Sequence, residues 1–506
     1  MTNSPFSIPD GNTPIYMRLA DQIADSILSG TLAAGTRLPP QRNLAFDLGV
    51  TVGTVGRAYA LVREQGLVSG EVGRGTYVLG SQDRTPPEAG ITGPRKLRDM
   101  PRDHPLDGLE REDRKWSAAP RSADTAEFGY GSTRLPLPPH GAIRLDSTSA
   151  PELGQGGVME RILPQIALDA PYEIASYTRI LPDSWREAGV RWLSRGGWTP
   201  TPDVMIPTFG AQAAIMAVIN SMTAPGDRIV FEELTYSSVA RAARFSGRQV
   251  VQVRADAQGP LPDHLDSVCR QTHPRLIFLM PSMHNPTLGV LSAARRAELL
   301  EVARRHDLWI IEDEVYGALI DTGLEPLASL APERTFHVGS LSKAVAAGIR
   351  GGWVASPPAH VQRLITAHKM MTGGSSYLLC EAAARLVNSG EADRIRDRVK
   401  AEIAARQAMA VDRLGNVEME TSPEAPFLWL KLPDPWLPGT FKAAAAARNV
   451  LIDDEDEFRT GRARESQFRV RVALTNPQSR EELAAGLDVL RQLLADDGAC
   501  CYDSFE

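Results

Sequence analysis

Apolar residues in the first 80 positions return with a helical period. In PIYMRLADQIADSILS, residues 14–29, Ile15, Leu19, Ile23 and Ile27 fall on one face of a helix. Gly30 and Gly35 flank a turn, Pro39-Pro40 opens a second helix through Leu48, and Gly49 stops it. Thr51 is an N-cap for a third helix to about Gln65, with Val55, Ala58, Tyr59 and Val62 on one face. LVSGEVGRGTYV then reads as two short strands around a turn. Three helices and a β-hairpin predict a winged helix-turn-helix over residues 1–80.

From 81 to 140 the periodicity lapses, and TPPEAG, TGPRKLRDMPRDHP and RLPLPPHG are rich in proline and charge. We expect a long tether there, part flexible and part extended, marking a domain boundary. From Leu145 onward, short apolar runs return at Ile229–Phe231, Val250–Val253, Leu276–Met280, Leu308–Ile311 and Thr335–Val338. Helical segments such as Ala293–Arg305 separate them, which predicts an α/β body over 141–506 with a largely parallel sheet covered on both faces. After about residue 395 a helix, the run PFLWLKL, a second helix, FRVRVAL and a last helix predict a smaller α+β subdomain to about residue 500.

Composition narrows the classes. Hydrophobic residues at 43% and charged residues at 23% give an ordinary globular chain, and 506 residues allow roughly three domains. A formal net charge of −7 supplies no global basic field. The start, MTNSPFSIPDG, lacks the charged-then-apolar layout of a signal peptide, and no apolar run nears the roughly 20 residues that cross a bilayer. Cys269, Cys380, Cys500 and Cys501 show neither C-x-x-C spacing nor a histidine cluster, so neither a metal site nor a disulfide framework is expected. A reducing cytoplasm fits.

The chemistry concentrates at strand exits, where ligands sit in an α/β sheet. In FHVGSLSKAVAAGIRGGW, 336–353, Ser340, Ser342 and Lys343 follow an apolar strand end and Arg350 comes seven residues on. A semi-buried lysine beside a cation acquires the low pKa of a nucleophile, and the serines with Arg350 can hold a phosphate. That pair suggests pyridoxal 5′-phosphate (PLP), although S-x-S-K alone fits an ordinary loop equally well. TFGAQAAI (208–215) opens a helix whose N-terminal amides can take a phosphate. Tyr236 can stack on a ring or serve as a core tyrosine. Asn285, in PSMHNPTLG, can donate to a phenolate oxygen or simply shape a turn. In IIEDEVYG, Asp313 past a strand end can keep a pyridine nitrogen protonated or cap a helix, and Tyr316 follows it by three.

Taken in this order, residues from about 145 to 495 resemble the fold-type I PLP enzymes of the class I/II aminotransferase branch. The resemblance makes Lys343 the Schiff-base lysine and Asp313 the partner of the pyridine nitrogen. It places Asn285 and Tyr316 on the phenolate oxygen, Tyr236 on the ring, and Ala211, Gln212, Ser340 and Arg350 around the phosphate. Tyr177, in YTRILPDSWREA, matches a tyrosine that reaches the phosphate across a dimer interface. The family's Y-x-x-x-x-G-x-x-x-L-R pattern is broken there, with Leu181 at the glycine position and Tyr177 one residue too close. Arg471 in RVALTNP matches the arginine that grips a substrate carboxylate. Arg469 shares its strand face, and only the distance to Asn476-Pro477 favours Arg471.

Residues 14–78 resemble the GntR-type DNA-binding domain through PIYMRLADQI, GTRLPPQRNLAFDLGV, GTVGRAYALVREQGLV and GRGTYV. Fused to an aminotransferase-like body, this is similar to the MocR subfamily. Gly53, Thr54 and Arg57 lie off the apolar face of the third helix, Arg37 and Arg42 precede and enter the second, and Arg74 marks the wing tip. These arginines can reach phosphates or base edges of double-stranded DNA. Residues 1–80 hold six Arg, no Lys and six acidic residues, so the binding face is only locally basic.

The resemblance implies a cytoplasmic transcription regulator that holds PLP on Lys343 and senses an amino acid or amine by forming an external aldimine. It also implies a homodimer, in which the tether can lay each head against the other subunit's body in a head-to-tail, domain-swapped pair. A working aminotransferase with an accessory DNA-binding head is the alternative. A DNA-binding protein whose body is only a scaffold is a third reading, disfavoured by Lys343, Asp313 and Arg350 together.

Overall fold

A computed structural model describes Phe6 and residues 15–64, 67–71, 75–79, 132–134, 138–461 and 466–495. The chain divides into two units, Met1–Trp116 and Ser117–Glu506, so the break falls inside the stretch read as tether.

In the first unit, helices Ile15–Leu28, Gln41–Asp47 and Val52–Glu64 precede an antiparallel hairpin of Val68–Glu71 and Gly75–Val78. Leu19, Ile23 and Ile27 are buried with Val55, Ala58, Tyr59 and Val62 in one core. Ile15 departs from the expected face: it is 40% exposed, and Ala20 and Ala24 complete the buried stripe. The third helix begins as its sequence dictates, with the Thr51 hydroxyl accepting from Thr54 N at 3.2 Å. Tyr59 Oη donates to Pro39 O at 2.8 Å and ties this helix to the start of the second. The chain before the second helix runs beside the hairpin, Leu38 N donating to Thr76 O and Val78 N to Thr36 O. That pairing leaves no periodic trace in the sequence.

In the second unit a seven-stranded sheet forms the centre. Its order is Met205–Thr208, Gly352–Ala355, Thr335–Ser340, Trp309–Asp313, Leu276–Leu279, Arg228–Glu232 and Gln249–Val253. Gly352–Ala355 runs antiparallel to both of its neighbours, and the remaining pairings of the sheet are parallel. Helices such as Gly210–Met222 and Ala293–Arg305 pack against it, and all of its strands except the edge strand Gln249–Val253 are buried along most of their length, as their continuous apolar runs require. The C-terminal part builds a four-stranded antiparallel sheet from Met419–Glu420, Phe427–Lys431, Arg469–Ala473 and Asp453–Asp454. The fold is therefore a fold-type I aminotransferase architecture with a smaller α+β part.

Two segments join the smaller part from far upstream. Ile143–Arg144 pairs in parallel with Val450–Leu451, and Leu145 is fully buried in that core. Earlier still, Ser132 and Thr133 bond to Glu457 and Asp454, and Lys442 Nζ donates to Thr133 O at 2.6 Å. The last part of the stretch read as tether is thus held on the body.

Candidate functional site

Lys343 sits on a turn that begins where Thr335–Ser340 leaves the sheet. Leu341 N donates to Gly351 O at 3.0 Å and closes the base of this turn, so the lysine stands over the strand ends. The turn ends at Arg350, whose φ of 57° lies in the left-handed region. Gly352 then passes so close to Gly210 that a Cβ on it would meet Gly210 Cα at 2.7 Å. This approach sets the first turn of Gly210–Met222, with Ala211 and Gln212, beside Arg350. The Arg350 guanidinium donates to Phe209 O at 3.2 Å. A helix N-terminus next to an arginine is an anion cradle.

One cavity of about 200 Å³ is lined by Lys343, Asp313, Asn285, Tyr316, Tyr236, Ala211, Gln212, Ser340, Arg350 and Arg471. Lys343 Nζ donates to Thr148 Oγ1 at 2.9 Å, and the same hydroxyl lies 2.9 Å from Tyr316 Oη. Asp313 ends the strand Trp309–Asp313, and its one hydrogen bond among the described residues comes from Val315 N at 3.2 Å. Arg471 is buried, donating to Asn285 Oδ1 at 2.9 Å and to Asp146 O at 3.0 Å, and it pairs with buried Asp453.

The electrostatics follow from this crowding. Burial first, then repulsion by Arg471 and Arg134, lowers Lys343 to about 8. Burial raises Asp313 to about 7. Tyr316 is pushed up to about 12, chiefly by burial. The cavity therefore offers an amine of reduced basicity, a buried acid without a cationic hydrogen-bond partner among the described residues, and an anion cradle.

Tyr177 does not join the cavity within its own chain; it is 88% exposed, in a surface groove with Ile180 and Tyr377. Arg469 and Arg471, inseparable by period, are separated by their partners. Arg469 donates to Trp429 O at 3.1 Å and to Glu418 at 2.7 Å, away from Lys343, whereas Arg471 lines the cavity. Thr148, Arg134 and Asp453 also belong to the site, and sequence reasoning missed all three. Arg134 stood in a proline-rich stretch and Asp453 in the acidic run DDEDE, where nothing set them apart.

In the head, Arg57 is exposed with its guanidinium 5.9 Å from the Tyr16 ring centroid, and Arg37 is exposed beside the hairpin. Thr54 is partly exposed and shares a hydrogen bond with Thr51. Arg42 falls in the second helix, and Arg74 lies outside the described residues.

Residues 147–487 match the aminotransferase class I and II family, and residues 15–78 match the bacterial regulatory proteins of the gntR family. The chain belongs to the class I and II aminotransferases, in MocR-type fusion with a GntR head. HTH-type transcriptional regulator YdeF of Bacillus subtilis (strain 168) is 29% identical over 492 residues, covering 97% of this chain and 96% of that one. The pyridoxine biosynthesis regulator PdxR of Corynebacterium glutamicum is 27% identical over 411 residues, 81% of each chain. Among solved structures, an archaeal alanine:glyoxylate aminotransferase superposes with a TM-score of 0.64 at 22% identity, over 70% of this chain and 91% of its own. LysN, the α-aminoadipate aminotransferase of Thermus thermophilus, gives 0.63 at 23%, over 70% and 92%. These two carry the fold. Aminotransferases of this class are typically PLP-dependent, and no helix among the described residues is long and apolar enough to cross a membrane.

Proposed function

We propose that this protein is a PLP-holding transcription regulator that binds double-stranded DNA through its head and senses a small amino acid or amine in its body. The observation that carries this reading is the placement of Lys343, Asp313, Asn285, Tyr316 and Arg350 around one cavity in a chain that also bears a GntR head. The donor set fits PLP. Lys343 supplies the amine, the Gly210–Met222 amides with Ser340 and Arg350 a place for the phosphate, and Asp313 an acid awaiting a cationic ring nitrogen. Asn285 and Tyr316 serve the phenolate oxygen, and Tyr236 the ring. When bound, PLP supplies an aldehyde carbon that condenses with Lys343 or, in exchange, with the amine of an effector.

Loading of cofactor-free protein should quicken as pH rises through about 8, the value to which burial and neighbouring arginines bring Lys343. Only the neutral amine attacks an aldehyde, and below that pH most of the lysine is ammonium. Growth of the visible absorption band, followed from well below to well above pH 8, measures this. A flat profile would count against Lys343 as the attacking group.

A homodimer belongs to the same reading. Tyr177 and Ile180 are almost fully exposed in one groove with Tyr377, Glu173 and Arg179, and large apolar side chains left exposed together suit an interface. There Tyr177 would serve the neighbour's phosphate, and each head could lie against the other subunit's body. Sedimentation of the PLP-loaded protein as a monomer at micromolar concentration would contradict it.

The test of the whole reading is one titration with two readouts. Amino compounds are added to full-length protein bound to an operator selected from random DNA, while the visible band and DNA anisotropy are followed together. Coupled changes are expected, because an effector shifts the protein only through unequal affinity for its two states. The second reading, an aminotransferase with an accessory head, draws on Arg471 and Lys343 lining the same cavity. Sustained turnover of an amino acid with a 2-oxo acid, without any change in DNA binding, would establish it in place of the first.

A further inference from the structure

The cavity holds one cation more than the strand exits supply. Arg134 reaches it from the stretch that leads into the body and grips Asp453 with two arms, Nε to Oδ1 at 2.7 Å and Nη2 to Oδ2 at 2.9 Å. Asp453 is fully buried and also pairs with Arg471, so one carboxylate spaces two guanidinium groups. Glu457 also lies near Arg134, at 4.0 Å, but Arg241 already pairs with it at 2.5 Å. Asp146 lines the cavity as well, but Arg144 pairs with it at 3.0 Å, so the group of Arg134, Asp453 and Arg471 carries one positive charge in excess. It also has donors to spare. Arg134 Nη1 makes no hydrogen bond among the described residues, and Arg471 Nε is buried without a partner.

A wall needing only internal neutrality would set one arginine against one aspartate. Two guanidinium forks held by a single carboxylate, beside a reactive amine, instead suit a second carboxylate that arrives with the ligand. We propose that Arg134 is a second arm for the acid group that the aminotransferase resemblance assigns to Arg471, with Asp453 positioning both, and that Arg134 thereby strengthens the preference of the site for an amino acid over a simple amine. This rests on the reading of Lys343 as the group that receives an amino compound. It gives Arg134 a role in specificity, and it places that role at the point where the chain enters the body. The neighbours Ser132 and Thr133 are fastened to Glu457 and Asp454 in the same strip.

The test compares L-alanine and β-alanine with ethylamine, which is either of them without the carboxylate. Full-length, PLP-loaded wild type, Arg134→Ala and Arg134→Lys are titrated, and the half-saturating concentration for the change in the visible band is read. Dividing by the ethylamine value cancels whatever the substitution does to Lys343 itself, and the ethylamine response shows that each variant is folded. Wild type should prefer at least one of the two acids. Arg134→Ala should lower that preference by about ten- to a hundredfold, the usual weight of a charge-assisted pair. Arg134→Lys, which keeps the charge and loses the fork, should restore part of it. An acid-to-amine ratio in Arg134→Ala within about twofold of wild type overturns the proposal, since a purely structural Arg134 would leave that ratio alone. So does a wild type that responds to ethylamine and prefers neither acid. A wild type that responds to none of the three removes the amine-sensing reading itself, and this proposal with it.

Discussion

Lys343→Ala is expected to abolish covalent retention of PLP. Lys343 is the one lysine among the described residues that line the cavity, and its basicity is reduced to about 8, so no other described amine there can take its place. Lys442, on the smaller part of the body, is bonded to Thr133 and Asp454 and does not line the cavity. The anion cradle at Arg350 and the acid Asp313 remain in the variant, so a loosely held cofactor can persist. Borohydride reduction followed by peptide mapping separates the two cases. Wild type should carry the fixed cofactor on the peptide containing Lys343, and the variant should carry none. A variant that keeps the same reducible band would show that another residue holds the aldehyde.

Deleting residues 1–80 is expected to remove sequence-specific DNA binding altogether while leaving the visible band. The head has its own core of Leu19, Ile23, Val55, Tyr59 and Val62, and the described residues of the body form cores of their own, so each unit buries apolar surface by itself. Residues 1–80 are formally neutral, so the remainder carries the whole net charge of −7 and repels DNA. Within the head, Arg57→Ala should weaken operator binding by about 1–3 kcal/mol if it reads a base edge. Affinity should also fall as salt rises, because phosphate contacts release counterions. Anisotropy titrations of a labelled operator at several salt concentrations measure all three effects. Operator binding by the headless chain at wild-type strength would overturn the assignment.

Local pattern determined much of this protein. The helices of the head and the buried strands of the body declare themselves through period and apolar runs, because each element must present one face or one edge to a core. Strand exits then point to Asp313, Asn285 and Lys343, since a parallel sheet gathers the ends of its strands along one edge whatever the lengths between them. Tertiary structure decided the rest. Arg134, Thr148, Asn285, Lys343, Asp453 and Arg471 meet through polar bonds between residues far apart in the chain, and such bonds impose no period on either partner. Arg469 and Arg471 show the limit most clearly. They stand two apart on one strand, equal in type and period, and only the groups that fold against them differ. Glu418 and the Trp429 carbonyl hold Arg469, while Asn285 and Asp453 hold Arg471. Likewise Leu145, at the start of the apolar pattern of the body, is buried in the C-terminal part, because strand pairing over about 300 residues depends on which edge is open and not on the neighbouring sequence.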